Sequence, residues 1–422
     1  MQSLPPELAS AARGVAATLR LAGQRAWLVG GAVRDLALGA RPVDADLASA
    51  ARPEEVERLF PETHAVGRAF GTVVVRCAGL DVQVTTFRAE SGYDDARRPT
   101  HVRFSASLEE DAARRDFTCN ALYLDPLNDE LADPTGGLAD LAARRLRCVG
   151  DPAKRFTEDG LRLLRLARLA AQHGLEVEAG TLHGARGALD ALRGVSPERV
   201  LAELVRIAEG AQPVRAVTLL FELGVLGVLP GLRSLGEAPC PLRERCEALA
   251  RLANCGAARF FAALFQPTPF QPAPGAASDA LANALLELRP PRVLYQHVLR
   301  IWELEVSLGA CLAEVARGAE RRARWIRLVR AEEFADALAV WSAWHPRDHE
   351  HERANLARRA IELAHDELWP TPLVTSAALA RTGIPRGPRW SELLHAAEDA
   401  QLDGELRTPE QARAWLDART RG

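Results

Sequence analysis

The chain has 422 residues, 48% hydrophobic and 26% charged, a composition typical of a soluble globular protein with two or more domains. No stretch approaches the ~20 continuous apolar residues of a membrane span, and the N-terminus lacks the basic start and apolar core of an export signal. Seven scattered cysteines without a close CxxC pair argue against a disulfide framework and a zinc site and favour a cytoplasmic protein, and a net charge of −3 does not by itself indicate a nucleic-acid partner.

The strand signals lie in the first 150 residues. Three segments rich in valine and threonine predict strands, namely Ala26–Val29, Thr72–Cys77 and 81–87. Between them, residues 32–38 and 53–60 predict helices. We therefore expect residues 1–150 to form an α+β head built on a small mixed sheet.

From about residue 153 onward the strand signals stop. Regularly spaced leucines mark a long amphipathic helix, at Leu161, Leu164, Leu166 and Leu169. Similar periodicity recurs to the C-terminus. Two proline-rich breaks, at 266–278 and 382–390, predict loops within an otherwise helical region.

Arginine supplies nearly all of the positive charge, because Lys154 is the only lysine among 53 basic residues. A GC-rich coding sequence explains most of this bias. Arginine still offers a planar fork that suits phosphates and base edges, so clusters of arginine are more informative than their total number.

The segment 28–47, LVGGAVRDLALGARPVDADL, combines a glycine turn with two carboxylates. Gly30 and Gly31 end an apolar strand and open a helix, so backbone N–H groups can face a phosphate. Asp44 and Asp46 stand at i and i+2, on one side of an extended strand, where two carboxylates can hold a pair of Mg²⁺ ions. Each feature alone is usually a plain turn or a solvated loop, but their order favours a nucleotide site.

Paired arginines flank an acidic helix start in the segment 90–126, at 97–98 and 114–115. Such pairs are common surface features in an arginine-rich protein, and either pair alone predicts nothing. Arg115 and Asp116 differ, because three further residues continue them on one helical or turn face. We expect Arg115 to contact a nucleotide phosphate and Asp116 to orient it.

The segment 156–171, FTEDGLRLLRLARLAA, predicts a helix with carboxylates in its first turn and Thr157 as its cap. Four charged residues then recur every three positions along one side, namely Asp159, Arg162, Arg165 and Arg168. An ordinary charged face opposite the leucines accounts for this spacing equally well.

Base recognition is the functional alternative for this helix. Cytosine and adenine present an exocyclic amine beside a ring-nitrogen acceptor, whereas guanine and uracil present the reverse order. A carboxylate next to a guanidinium supplies the complementary acceptor and donors. Asp159 with Arg162 therefore predicts selection of C and A by protein side chains, which leaves Arg165 and Arg168 for phosphates.

Together these segments resemble one family, the bacterial class II CCA-adding enzymes with their CC-adding, A-adding and poly(A) polymerase relatives. GGAVRD with DAD is similar to the family's catalytic motif, RRDFTCNA to its ribose- and phosphate-positioning motif, and EDGLRLLR to its amino-acid template helix. The resemblance implies template-independent addition of C and A, from CTP and ATP, to the 3′ end of tRNA, with two Mg²⁺ ions held by Asp44 and Asp46. The nucleotide contacts that it implies are Gly30, Gly31, Arg34, Arg115, Asp159, Arg162, Arg165 and Arg168.

The resemblance also implies a domain order. A polymerase-β-like nucleotidyltransferase head over 1–150 is expected to precede a helical neck over 151–215, a helical body over 216–300 and a helical tail over 301–422 that binds tRNA. No oligomeric state follows from the sequence.

One position departs from the family pattern. Members commonly carry a carboxylate just before a strand segment similar to VTTFR, and this chain has Gln83 there. Asp81 lies two residues earlier on the same strand face and is a candidate to contribute instead, at a shifted depth; the sequence leaves open whether it replaces the missing carboxylate.

Several activities remain open within the family. An A-adding enzyme that works with a separate CC-adding enzyme needs the same residues. A CC-only enzyme is disfavoured because the flexible-loop segment GYDDARRPTHVRF, 92–104, is intact, and poly(A) polymerase is disfavoured because basic extensions are absent. An inactive RNA-binding homologue is expected to lack Asp44 or Asp46, and both are present.

Overall fold

The computed structural model describes residues 4–64, 71–93, 99–229, 231–233, 242–252, 255–266, 276–317, 321–345 and 365–420. Contacts divide the chain into two compact units. The first consists of Met1–Ala238 with Glu287–Arg289, and the second of Pro239–Leu286 with Pro290–Gly422. The predicted division into head, neck, body and tail stays a prediction.

A seven-stranded mixed sheet forms the centre of the first unit. Its strands are β1 (Ala26–Val29), β2 (Asp46–Ser49), β3 (Thr63–His64), β4 (Thr72–Cys77), β5 (Leu80–Thr86), β8 (Tyr123–Leu124) and β9 (Leu131–Ala132), in the order β3-β4-β5-β2-β1-β8-β9. Neighbouring strands are antiparallel except β2 and β5, which run parallel with Asp46 beside Gln83. Strand β1 lies inside the sheet and is buried along its whole length, as a run of four apolar residues predicts.

Two smaller strand pairs accompany the sheet. Strands β6 (Arg88–Tyr93) and β7 (Pro99–Phe104) form an antiparallel hairpin; residues 94–98 of the predicted flexible loop lie outside the described residues. Strands β10 (Arg145–Leu146) and β11 (Glu176–Val177) pair in parallel. The pair β10–β11 places one short strand beyond residue 153, where only helices were expected.

The described residues of the first unit form ten helices: α1 (Pro6–Leu21), α2 (Gly31–Ala37), α3 (Pro53–Leu59), α4 (Leu108–Ala113), α5 (Gly137–Ala142), α6 (Pro152–Glu158), α7 (Leu161–His173), α8 (Ala179–Gly187), α9 (Pro197–Ala208) and α10 (Pro213–Glu222). The same part of the chain also contains three short 3-10 turns, Thr118–Asn120, Leu189–Gly194 and Val225–Gly227. Helix α7 packs against both α9 and α10, because leucine and alanine side chains cover most of its surface.

Helices joined by turns and loops make up the described residues of the second unit, with no strand among them. Its helices are α11 (Leu242–Arg251), α12 (Gly256–Leu264), α13 (Ala276–Glu287), α14 (Arg292–Ala316), α15 (Arg322–Val329), α16 (Phe334–Trp344), α17 (His365–Leu368), α18 (Ser376–Ala380), α19 (Pro388–Leu402) and α20 (Pro409–Thr420). A core around Leu379, Trp390 and Leu416 joins the last three of them. In the part of the chain that the structure describes, no helix has the length and apolarity to cross a membrane.

The predicted fold class is confirmed. Predicted strands 26–29 and 72–77 coincide with β1 and β4, and the other predicted elements of the head differ by a residue at their ends. The helix predicted over 156–171 is instead two helices, α6 and α7, separated at Asp159 and Gly160. Asp151 caps α6 by accepting from the N–H of Ala153, so Thr157 is not a cap.

Candidate active site

A cleft of about 820 Å³ opens in the first unit beside the sheet, α2, α7 and α9. All the site residues predicted from the sequence line it, namely Gly30, Gly31, Arg34, Asp44, Asp46, Arg115, Asp159, Arg162, Arg165 and Arg168. Further arginines line it from other elements, namely Arg88, Arg114, Arg199 and Arg206. A cleft of this size and charge suits a polyanionic ligand of nucleotide size.

The glycine turn lies between β1 and α2. Gly30 has φ +69°, a conformation that favours glycine, and a Cβ added there would lie 3.7 Å from Nη1 of Arg115. Arg34, one turn into α2, is buried and donates from Nη1 to Oδ1 of Asn120 at 2.7 Å. The turn therefore brings a bare backbone up to two arginines of the cleft.

Asp46 is the first residue of β2, and Asp44 lies two residues before it. The Asp44 side chain is exposed and Asp46 is half-buried. Burial, together with the neighbouring charge of Asp44, raises the pKa of Asp46 to about 6, although Arg115 opposes the shift. Neither carboxylate forms an ion pair within the described residues. Two carboxylates that repel each other at the edge of a cleft are a donor set that fits a hard divalent cation.

The carboxylate that the family pattern expects on β5 is missing from the cleft. Gln83 lies in register with Asp46 and lines the cleft. Asp81 does not line it; its carboxylate accepts from Nη1 of Arg76 at 2.8 Å, and both side chains are largely exposed. The position of Asp81 therefore gives no support to the open question of whether it replaces the carboxylate missing at Gln83.

Arg115 is oriented by different residues from the one expected. Its Nη2 donates to Oδ2 of Asp111 at 3.0 Å, and its Nε donates to the Tyr123 hydroxyl at 3.0 Å. Asp111 and Tyr123 are both buried, so the guanidinium is fixed by contacts from the protein interior. The expectation that Asp116 orients Arg115 is wrong, because Asp116 pairs with Arg165.

Asp116 links the head to α7. Its Oδ2 accepts from Nε of Arg165 at 2.7 Å, and its Oδ1 accepts from Nδ2 of Asn120 at 3.1 Å and from the N–H of Phe117. Burial alone would raise the pKa of Asp116, but the Arg165 guanidinium and the hydrogen bond from Asn120 outweigh burial and hold the pKa at about 2. Asp116 is therefore ionised at neutral pH and holds Arg165 in place.

The two residues predicted to read the base are not paired with each other. Asp159 accepts at Oδ2 from Nη2 of Arg199 at 2.7 Å. Arg162 donates from Nη1 to Glu158 at 2.9 Å and also donates to the backbone carbonyls of Arg155 and Arg114. Both residues line the cleft, but each is held by its own partner.

Arg165 and Arg168 are not free for phosphates in the way that the sequence suggested. Arg165 pairs with Asp116, and Arg168 donates from Nε to Oε2 of Glu203 at 2.6 Å. Glu203 is 1% exposed and also accepts from Nη1 of Arg206 at 2.7 Å. Each guanidinium uses part of its fork for a carboxylate, and the side chains still line the cleft.

Sequence reasoning did not assign roles to these partners. Asp111, Tyr123, Arg199, Glu203 and Arg206 all fix or accompany a predicted site residue. One signal was present, since Arg199, Glu203 and Arg206 recur at i, i+4 and i+7 within a leucine-rich helix and so share one face of α9.

The head with this cleft defines a nucleotidyltransferase of the poly(A) polymerase type. Residues 26–147 match the poly A polymerase head domain, and residues 174–235 match the domain described as a probable RNA and SrmB-binding site of polymerase A. Nucleotidyltransferases of this family generally use divalent metal ions, in agreement with the carboxylate pair.

Individual relatives narrow the class. The chain is 35% identical to the CCA-adding enzyme of Geobacillus thermodenitrificans across 97% of both chains. It is 43% identical to that of Bacillus pumilus over 51% of this chain and 54% of the relative. The chain therefore belongs to the family of bacterial CCA-adding enzymes.

Solved structures agree with this assignment. The crystal structure of the Bacillus stearothermophilus CCA-adding enzyme in complex with CTP matches with a TM-score of 0.77 and 29% identity, over 99% of this chain and 98% of that one. The Thermotoga maritima CCA-adding enzyme complexed with tRNA shares the fold at a TM-score of 0.66 and 20% identity, over 97% and 94% of the two chains.

Proposed function

We propose that this chain adds C and A residues, without a nucleic-acid template, to the 3′ end of tRNA from CTP and ATP in the cytoplasm. The observation that carries the proposal is the cleft itself, where Asp44 and Asp46 face a set of positioned arginines. The full-length likeness to CCA-adding enzymes supports the same substrates.

Asp44 and Asp46 would hold Mg²⁺, with two ions expected. When bound, the metal neutralises triphosphate charge and lowers the pKa of the attacking hydroxyl. The protein's own part is to position the nucleotide. Arg34 and Arg115 lie beside the Gly30–Gly31 turn, so they bind the triphosphate next to the carboxylates.

Base selection belongs to α7 and the turn before it. Asp159 accepts a hydrogen bond from the exocyclic amine of C or A, and Arg162 donates to the neighbouring ring nitrogen. Uracil and guanine reverse the donor and acceptor, so they place like groups against each other. Arg165 and Arg168, held by Asp116 and Glu203, supply positive charge for phosphates.

The proposal is tested with three tRNA substrates, ending before CCA, after the first C and after CC. Each is incubated with CTP, ATP or both, first after removal of metal with EDTA and then again after addition of excess Mg²⁺. We expect all three substrates to be completed to CCA, and no extension without a divalent ion. Extension of only the tRNA that ends in CC, and only with ATP, would identify an A-adding enzyme instead.

A further inference from the structure

The Asp159 carboxylate is held at both of its oxygens. Oδ1 accepts from the N–H of Leu161 at 3.1 Å, and Oδ2 accepts from Nη2 of Arg199 at 2.7 Å. Its side chain keeps 19% exposure toward the cleft. Each oxygen has a second lone pair, so a carboxylate fixed in this way can still accept from a ligand.

The backbone of Asp159 is fixed by close packing. Gly160 follows it, and a Cβ at Gly160 would lie 2.4 Å from the carbonyl oxygen of Ala191. Ala191 belongs to the Leu189–Gly194 turn that leads into α9, the helix that carries Arg199. The same stretch of chain therefore sets both the turn at Asp159 and the guanidinium that holds its carboxylate.

Within the described residues, the Arg199 guanidinium is hydrogen-bonded to Asp159 and to no other side chain. Its Nη1 is buried and has no partner among the residues that the structure describes. Burying a donor without an acceptor destabilises a fold. Arg199 nevertheless lines the cleft, and its Nη2 donates to Asp159. The contact with Asp159 therefore accounts for the position of Arg199.

We propose that Arg199 is a positioning residue for base selection, which aims the Asp159 carboxylate at the base of the incoming nucleotide. This inference rests on the proposed function, in which Asp159 accepts from the exocyclic amine. Without Arg199, Asp159 keeps its charge and its bond to Leu161 but rotates more freely. Its repulsion of a uracil or guanine carbonyl is therefore weaker. Discrimination then falls while phosphate binding persists.

Five variants test the inference: Arg199→Met, Arg199→Lys, Arg193→Met, Asp159→Ala, and Arg199→Met combined with Asp159→Ala. Methionine keeps much of the stem volume and removes every donor, whereas lysine keeps the charge and an N–H donor group but loses the planar fork. Arg193 is a matched control, because it pairs with the exposed Asp190 and does not line the cleft. The readout is the ratio of kcat/KM for CTP over UTP on tRNA lacking CCA, and for ATP over GTP on tRNA ending in CC.

We expect Arg199→Met to lower these ratios about tenfold and to raise the nucleotide KM more than it lowers kcat. Arg199→Lys restores most of the discrimination, and Arg193→Met leaves it unchanged. The double variant matches Asp159→Ala to within about twofold, because Arg199 acts through Asp159.

An equal loss for all four nucleotides in Arg199→Met, or the same tenfold loss persisting in the Asp159→Ala background, would overturn the inference. If Asp159→Ala relaxes discrimination and Arg199→Met does not, the inference alone fails. If Asp159→Ala keeps full discrimination, base selection by Asp159 fails and the inference fails with it. Absence of C and A addition by the unmodified protein would instead reject the proposed function.

Discussion

Two walls of the cleft differ in whether their carboxylates are paired: the head wall, which carries Asp44 and Asp46, and the helical wall. On the head wall, Asp44 and Asp46 stand side by side without an ion pair among the described residues, and the pKa of Asp46 is raised to about 6. On the helical wall, formed by α7 and the turn before it, every charged site residue is engaged by a partner, as Asp159 is by Arg199.

This difference separates two kinds of preorganisation. Carboxylates that repel each other gain most from a cation that arrives from solvent. The Asp44 and Asp46 pair is therefore electrostatically unfavourable until a cation is bound. Side chains that are already paired cannot reorient cheaply, so the helical wall is rigid before a ligand is bound. The contrast predicts that substitutions of Asp44 and Asp46 reduce activity without loss of stability, and that substitutions of the partners behind the helical wall also reduce stability.

The largest effect is expected from Asp44→Ala and Asp46→Ala. Each removes one of two metal-binding carboxylates, so kcat for nucleotide addition should fall about 10³-fold or more. Thermal stability should stay the same or rise, because one of two repelling charges is gone. Single-turnover extension of tRNA ending in CC, with a melting curve for each variant, measures both quantities.

The matched control is Asp81→Ala, which removes an exposed carboxylate from the neighbouring strand β5. Its ion pair with Arg76 is exposed, so its loss should change stability and activity little. A folded Asp46→Ala variant that retains near-normal turnover in Mg²⁺ would show that the head wall does not hold the metal.

Base discrimination is the next largest effect. Asp159→Ala should raise UTP and GTP incorporation relative to CTP and ATP by roughly ten- to a hundredfold, since each hydrogen-bonding position contributes about 1–3 kcal/mol. Arg162→Ala should do the same and also destabilise the fold, because Arg162 crosslinks Glu158 with two backbone carbonyls. The measurement is kcat/KM for each of the four nucleotides.

A phosphate-binding residue should behave differently. Arg165→Ala should lower kcat/KM for all four nucleotides about equally, because the triphosphate is common to them. Equal losses for Asp159→Ala and Arg165→Ala would mean that the helical wall binds nucleotides without selecting among them.

Loss of the buried carboxylate behind the helical wall should cost stability. Glu203→Gln removes the charge that pairs with Arg168, which is 14% exposed, so local stability should fall by about 2 kcal/mol. Hydrogen exchange of α7 and α9 should then be about 30-fold faster. Arg206→Met removes only the exposed partner of Glu203 and should change exchange little; equal acceleration in both variants would contradict the contrast between buried and exposed pairs.

The sequence was sufficient for the fold class of the head and for the ten predicted site residues, all of which line the cleft. Strands β1 and β4 follow from short valine-rich or apolar runs, and the site residues fall in a few contiguous segments that chain order alone identifies. Partners were not predictable in the same way. Asp159 and Arg199 lie 40 residues apart, and their contact depends on how α9 packs against α7, which no local pattern encodes.

The predicted cap at Thr157 failed for a physical reason, and the open question at Asp81 also has a local structural answer. Thr157 looks like a helix cap because acidic residues follow it, but Gly160 packs against Ala191 so closely that the chain turns there and α7 begins at Leu161. Asp81 shares a strand face with Gln83, yet it lies nearer the exposed end of β5, where Arg76 is its cross-strand neighbour.

The smallest effect concerns acid stability, and Asp116 is the group that reports it. Its pKa is about 2 in the folded protein and 3.8 ordinarily. A lowered pKa contributes stability that is present above pH ~4 and is lost as the pH falls toward 2. Because Arg165 is 35% exposed, solvent screening reduces this contribution to about 1 kcal/mol.

The difference in stability between the unmodified protein and Asp116→Asn should therefore be constant from pH 7 to about 5 and should narrow between pH 4 and 2.5. Hydrogen exchange of α7, corrected for the intrinsic rate at each pH, measures the difference locally. Asp190→Asn serves as the control, because its pair with Arg193 is exposed and should give no comparable change. A gap between the unmodified protein and Asp116→Asn that is unchanged down to pH 2.5 would mean that Asp116 supports the helical wall by its hydrogen bonds to Asn120 and Phe117 rather than by its charge.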